Sequence, residues 1–135
     1  GGWSPQQRLN IMKDSHIGVY GVVGLICVMG LQAALYGQLA AQSLWPVLGV
    51  MALSRAIMVP IMAALPNARS QGLSASVGRP TLQTAILAVV LGGTIAVFSG
   101  AWPALIGAPL GGLAVAAIAK RKIGGQTGDI LGASQ

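Results

Sequence analysis

Lys120, Arg121 and Lys122 are followed by Gly124, Gly125, Gln126, Thr127 and Gly128, and the run closes on Asp129. This combination can handle phosphate. The lysines neutralise charge on a transferring group, glycines without a Cβ let successive N–H groups approach an anion, and the carboxylate holds a metal ion or accepts a proton. The whole loop, Gln126 and Thr127 included, is expected to bind substrate. Lys13 is a further cation, expected among the catalytic groups, Arg69 and Arg79 are further cations expected to bind substrate, and Asp14 is the counterpart of Asp129 as catalytic group and metal ligand.

The elements that must position these groups are apolar. Hydrophobic residues make up 54% of the 135 and charged residues 7%, and the mean hydropathy is +0.74. A soluble domain of that composition exposes large apolar patches, so the expected fold is all-α, a polytopic transmembrane helix bundle forming a single integral-membrane domain over 1–135. Four segments approach the roughly 20 apolar residues needed to cross hydrocarbon: 18–41, 44–65, 82–102 and 103–119. Ser43 is the expected N-cap of the second, Pro46 fits its first turn, and Pro60 is expected to kink it. Gly107 and Gly111 have the small-xxx-small spacing that suits helix packing, and Gly18, Gly21 and Gly24, recurring every three residues, are expected to serve the same purpose. Ser99-Gly100-Ala101-Trp102-Pro103 reads as a tight turn with Trp102 at the interface. The single Cys27 can form no intrachain disulfide.

With four spans, parity puts 1–17, 66–80 and 120–135 on one side of the membrane. Seven of the eight basic residues fall there: Arg8, Lys13, Arg69, Arg79, Lys120, Arg121 and Lys122. Both acids share that side, which the positive-inside rule makes cytoplasmic. Ser4-Pro5-Gln6-Gln7 fits a capping box, predicting a short interfacial helix over 5–15 that precedes the first span. His16 is expected as a polar interfacial residue. The eighth cation, Arg55, falls near the middle of the second span, where a charge costs roughly 2.5–3.5 kcal/mol and requires an anion, a carbonyl or an acid as partner. It is expected to act as a catalytic-site cation, a deep phosphate contact, or to organise the fold.

The strings Ile11-Met12-Lys13-Asp14-Ser15-His16-Ile17-Gly18-Val19-Tyr20-Gly21 and Ile123-Gly124-Gly125-Gln126-Thr127-Gly128-Asp129 closely resemble the cobalamin 5′-phosphate synthase family, also called adenosylcobinamide-GDP ribazoletransferase. Ser54-Arg55 and Ala68-Arg69-Ser70-Gln71-Gly72-Leu73, leading to Gly78-Arg79-Pro80, extend the likeness over essentially the whole chain. The resemblance implies a cell inner-membrane transferase of cobalamin (vitamin B12) biosynthesis. Such an enzyme joins adenosylcobinamide-GDP to α-ribazole or α-ribazole 5′-phosphate, releases GMP and uses Mg²⁺. Two departures stand against that pattern. His16 stands where the family usually has Arg, and the family's acidic D-G-x-x-D-x-x-D-G motif is absent before Gly1-Gly2. The chain is therefore expected to be a fragment lacking the main metal site and the C-terminal end, and to be inactive by itself.

The alternative is a small membrane transporter or channel subunit in which Arg55 gates an anion path. That reading needs a continuous polar lining, and the spans offer little beyond Gln32, Thr84 and Thr94. A structural assembly subunit is a further alternative for the fragment. Nucleic acid is excluded as a partner despite a sequence pI near 10.5, because the basic residues are loop-bound at a lipid bilayer and the three Trp residues do not interleave with them.

Overall fold

The computed structural model describes residues 2–14, 16–69 and 76–135. Gly1, Ser15 and the Ser70-Gln71-Gly72-Leu73 string lie outside the described residues. The architecture is an all-α membrane helix bundle, in the order α1 (Pro5–Ile11), α2 (Val19–Gln42), α3 (Trp45–Ala64), α4 (Leu82–Phe98), α5 (Ala104–Ile123) and α6 (Gly128–Ala133). Three of these, α2, α3 and α5, are long and apolar enough to cross a membrane, and α4 is a shorter apolar helix of 17 residues. Leu25, Leu31, Leu91 and Leu113 are each more than half exposed. Hydrocarbon, to which apolar side chains are no liability, is the solvent that suits such a surface.

The capping box at α1 forms as the sequence predicts. Ser4 Oγ accepts from the Gln7 N–H at 3.3 Å, and Gln7 Oε1 accepts from the Ser4 N–H at 3.3 Å. The helix stops at Ile11, however, and not at 15. Asp14 Oδ1 accepts from the His16 N–H at 3.0 Å and lies 2.7 Å from His16 Nδ1, a local side-chain turn that competes with helical pairing.

Helix α3 is the centre of the bundle and packs most extensively on α4. The two run antiparallel and close together because small residues meet: a Cβ on Gly92 would press on Ala56 and the α3 backbone, and one on Gly49 would overlap the Ser99 hydroxyl. Leu44, not Ser43, is the α3 N-cap, although Ser43 Oγ accepts the Trp45 N–H at 3.3 Å. Pro46 falls in the first turn and Pro60 lies inside the helix. Helix α4 ends at Phe98, four residues before the predicted boundary, because a Schellman motif closes it. Gly100 adopts φ +81°, its N–H bonds to Val97 O, and the Ala101 N–H reaches back to Ala96 O at 2.8 Å.

Helix α5 packs on α3 through Gly112, which sits against Ile57 and Ile61. A Cβ on Gly107 or Gly111, the pair expected to serve helix packing, would meet nothing within 4 Å, and the same holds for Gly18 and Gly24 at the start of α2. Helix α2 has no buried residue. The core is formed by Leu53, Ile57, Ile61, Met62 and Leu65 of the α3 segment, with Ala96, Ala101, Ala119 and Leu131 from the others.

Candidate functional site

The 120–129 segment is not one loop. Helix α5 continues through Lys120, Arg121 and Lys122 to Ile123, because basic residues are good helix formers and favour the negative end of the helix dipole. Gly124 then stops it in the left-handed conformation, φ +77°, with its N–H bonded to Lys120 O at 3.2 Å. Thr127 caps α6, its Oγ1 accepting from the Ile130 N–H at 3.4 Å, and Asp129 lies in the first turn of that helix. Only 124–127 remain as a connection.

That connection is stitched to the chain leaving α3. Asn67 and Gln126 form a parallel bridge in which the Gln126 N–H donates to Pro66 O and the Ala68 N–H donates to Gln126 O, both at 2.8 Å. Gly125 is required by close approach, since a Cβ there would collide with the Pro66 carbonyl. Gln126 is completely buried, and its Nε2 donates to Asn67 Oδ1 at 3.0 Å and to Met62 O at 3.4 Å. Gln126 Oε1 has no partner among the described residues. Gly125, Gln126 and Thr127 thus build the wall, and Gly124, Gly128 and Asp129 are its exposed members.

Two further segments meet this wall, in agreement with the charge partition. Arg69 Nη1 lies 3.7 Å from Asp129 Oδ2, and its Nη2 donates to Leu9 O of α1 at 3.0 Å. From α1, Arg8 Nη1 donates to Lys122 O at 2.7 Å. Arg79 Nη2 donates to Ala64 O at the end of α3, at 3.4 Å. Asp129 and Asp14 are taken by Arg69 and His16, so Lys13, Lys120, Arg121 and Lys122 have no acidic partner among the described residues. All four are exposed, making this end of the bundle strongly electropositive and suited to an anionic ligand.

Asp14 and Asp129 each face another partner, His16 and Arg69. Among the described residues no three His, Cys, Asp or Glu side chains gather as a metal-binding group, so Asp129 does not join Asp14 and His16. Mg²⁺ would find at most a single carboxylate at Asp129, short of the oxygen set it prefers. The Asp14 carboxyl is held below its ordinary value, first by the His16 backbone N–H and then by the His16 side chain. Arg55 is also remote from the wall. It is exposed on α3 and donates from Nη1 to Met51 O, one turn earlier, at 3.0 Å. A carbonyl is one of the partners its depth requires, and no phosphate role follows from the position.

Sequence reasoning misses Arg8 and Asn67 as parts of this site. Arg8 follows the capping box and carries no signal beyond a topology charge. Asn67 sits between Pro66 and Ala68 with no motif of its own, and its importance arises only from pairing with Gln126 across 59 positions.

A family model described as cobalamin-5-phosphate synthase matches residues 1–135. A protein named adenosylcobinamide-GDP ribazoletransferase from Mesorhizobium japonicum is 39% identical over 140 residues, covering 100% of this chain and 54% of its own length. One of the same name from Brucella anthropi is 41% identical over 150 residues, covering 100% of this chain and 57% of its own. A third, from Bradyrhizobium diazoefficiens, is 40% identical over 143 residues, covering 98% and 54% respectively. The chain spans about half the length of these curated relatives. No solved structure matches it.

Proposed function

The chain belongs to the cobalamin-5-phosphate synthase family, and from that premise we propose that it forms the electropositive half of a membrane transferase of cobalamin biosynthesis. The substrates are adenosylcobinamide-GDP and α-ribazole or its 5′-phosphate. In the reaction, a hydroxyl oxygen of the ribazole attacks the phosphorus bearing the cobinamide, the anhydride bond to GMP breaks, and the hydroxyl proton passes to a carboxylate. Residues 1–135 act as a single membrane domain in the inner membrane with the charged end facing the cytoplasm. The observation that carries the reading is the meeting of three cationic segments around Asp129, Arg69 and Lys122 at one end of an apolar bundle.

Each group has a role that the geometry supports. Lys13, Lys120 and Lys122, without acidic partners among the described residues, neutralise the diphosphate, and Arg79 adds charge beside the end of α3. Asp129, exposed at the start of α6, is the carboxylate that takes the hydroxyl proton or contributes to a Mg²⁺ site completed by acids outside these residues. The exposed Gly124 and Gly128 flank the anion. By itself this half is expected to be inactive. The transporter alternative has no comparable support, since the turns at the other end of the bundle carry no charge to receive an ion.

The test uses the full-length protein in lipid vesicles with Mg²⁺, adenosylcobinamide-GDP and α-ribazole, following GMP release and the cobalamin product by chromatography. Product formation by wild type that is abolished in Asp129→Asn, with membrane insertion intact, is the expected result. Near-normal turnover of that variant would sink the assignment of Asp129.

A further inference from the structure

At the charged end, the Arg69 side chain touches two helices distant from it in sequence, α1 and α6. It is 21% exposed. Nη2 donates to the Leu9 carbonyl of α1 at 3.0 Å, while Nη1 faces Asp129 Oδ2 at 3.7 Å. Nε is buried with no partner among the described residues. Helix α1 in turn has no fully buried residue and Leu9 is only partly covered, so apolar burial alone does not fix it. A clasp of two arginines adds to that packing, Arg69 onto the Leu9 carbonyl and Arg8 onto the Lys122 carbonyl at 2.7 Å.

The sequence assigns Arg69 to the substrate phosphate, and the geometry does not. We infer that Arg69 is a positioning residue that ties the Asp129 carboxylate to α1, so that the N-terminal helix and the reacting carboxylate are set by one guanidinium. Its consequence for turnover rests on the transferase reading above. A planar fork presents its N–H edges to two partners in fixed directions, whereas a lysine ammonium is a compact charge whose donors swing on a flexible stem. At 3.7 Å the Asp129 contact is longer than a hydrogen bond. The carboxylate is therefore oriented by charge while its oxygens stay free for a proton or a metal ion. A guanidinium engaged with a backbone carbonyl on one side and a carboxylate on the other is poorly placed to serve as the primary phosphate ligand, and the lysines without acidic partners are better placed.

The experiment compares wild type, Arg69→Lys, Arg69→Gln and Arg8→Ala in the full-length protein by two readouts. Hydrogen–deuterium exchange of the α1 amides reports the clasp, with α3 and α4 amides as an internal check on folding. Steady-state kinetics separates kcat from KM for adenosylcobinamide-GDP. Arg69→Lys is expected to speed α1 exchange by about tenfold or more, as loss of a hydrogen bond from a charged donor does, and to lower kcat with KM nearly unchanged. Arg8→Ala is expected to speed α1 exchange similarly, because its bond to the Lys122 carbonyl is the other half of the clasp. A large rise in KM for Arg69→Lys with α1 exchange unaltered would overturn the inference and return Arg69 to the substrate phosphate. If Arg69→Gln disturbs exchange in α3 or α4, the Arg69→Lys and Arg8→Ala pair still decides. If wild type transfers no ribazole, the transferase reading fails by itself, and unchanged α1 exchange in both variants would still refute the clasp.

Discussion

At one end of the bundle the connections are short, uncharged and ringed by aromatics; at the other they are long, cationic and cross-linked by hydrogen bonds. The uncharged end holds Trp45 and Trp102, 70% and 67% exposed, with Phe98 at 87%. That is the composition of an interfacial belt. A groove of about 720 Å³ opens there between Trp45, Leu48, Ile95 and Phe98, and none of its lining residues is ionisable. The charged end holds the groups that can do chemistry: Arg8, Arg69, Asp129 and the lysine-rich last turn of α5. Apolar room alone would point to that end. Electrostatics and the convergence of three segments choose the other, because a diphosphate is recognised by fixed cations and not by apolar room.

The contrast can be broken or sharpened by substitution. The largest effect expected is at Asp129, where Asn should lower turnover by about 10² to 10⁴-fold, the usual range for removing a general base, measured as product per minute at equal membrane content. No substitution of Trp45 or Phe98 should approach that loss. Next, Gly125→Ala must displace the Pro66 carbonyl and should cost about 1–3 kcal/mol of stability, the usual penalty of overpacking. Gly107→Ala, with open space around it, should stay within about 0.5 kcal/mol of wild type. Thermal unfolding in detergent compares the two. Lys122→Gln should raise KM for the nucleotide substrate about fivefold, corresponding to about 1 kcal/mol for one exposed cation, and the effect should fade at high salt.

The smallest effect concerns the 14–16 turn. The Asp14 carboxyl is held below its ordinary 3.8 by His16. The order it gives the turn is therefore fully present above that value and lost as pH falls through the lower folded one. Amide exchange in the turn, corrected for intrinsic rates, should be steady from about pH 7 to about pH 5 and lose protection only under strongly acidic conditions. Asp14→Asn should weaken that protection at neutral pH without shifting α3.

Much of the fold is legible in the sequence because the apolar runs and their punctuation are strong signals. The capping box at Ser4 and the turn at Gly100 form where the residue types put them. Differences gather where helix and bilayer do not end together. Lys120 to Lys122 are poor membrane residues but good last-turn residues, so α5 runs past the predicted 119. The reverse happens in α1, where a single carboxylate at Asp14 turns the chain after Ile11. The site is legible as a set of charges on one side, since parity and the distribution of Arg and Lys require no tertiary knowledge. Its internal division of labour is not. Gln126 and Thr127 look like ligand groups in a glycine-rich string, yet their burial comes from pairing with Asn67 and from capping α6. Arg55 has the residue type of a deep anion site, but its guanidinium bonds to a carbonyl of its own helix.

We propose that function resides at the charged end and that this end meets the cytoplasm. Full-length protein freed of its native cysteines, with Cys27→Ala among the changes, and carrying either Lys122→Cys or Trp102→Cys tests it directly in oriented membrane vesicles with a membrane-impermeant maleimide. Cys at 122 should be labelled only from the cytoplasmic side and be protected by adenosylcobinamide-GDP, while Cys at 102 should be labelled only from the opposite side and be indifferent to substrate. Labelling of position 122 from the non-cytoplasmic side, or substrate protection at 102 with none at 122, would contradict the account.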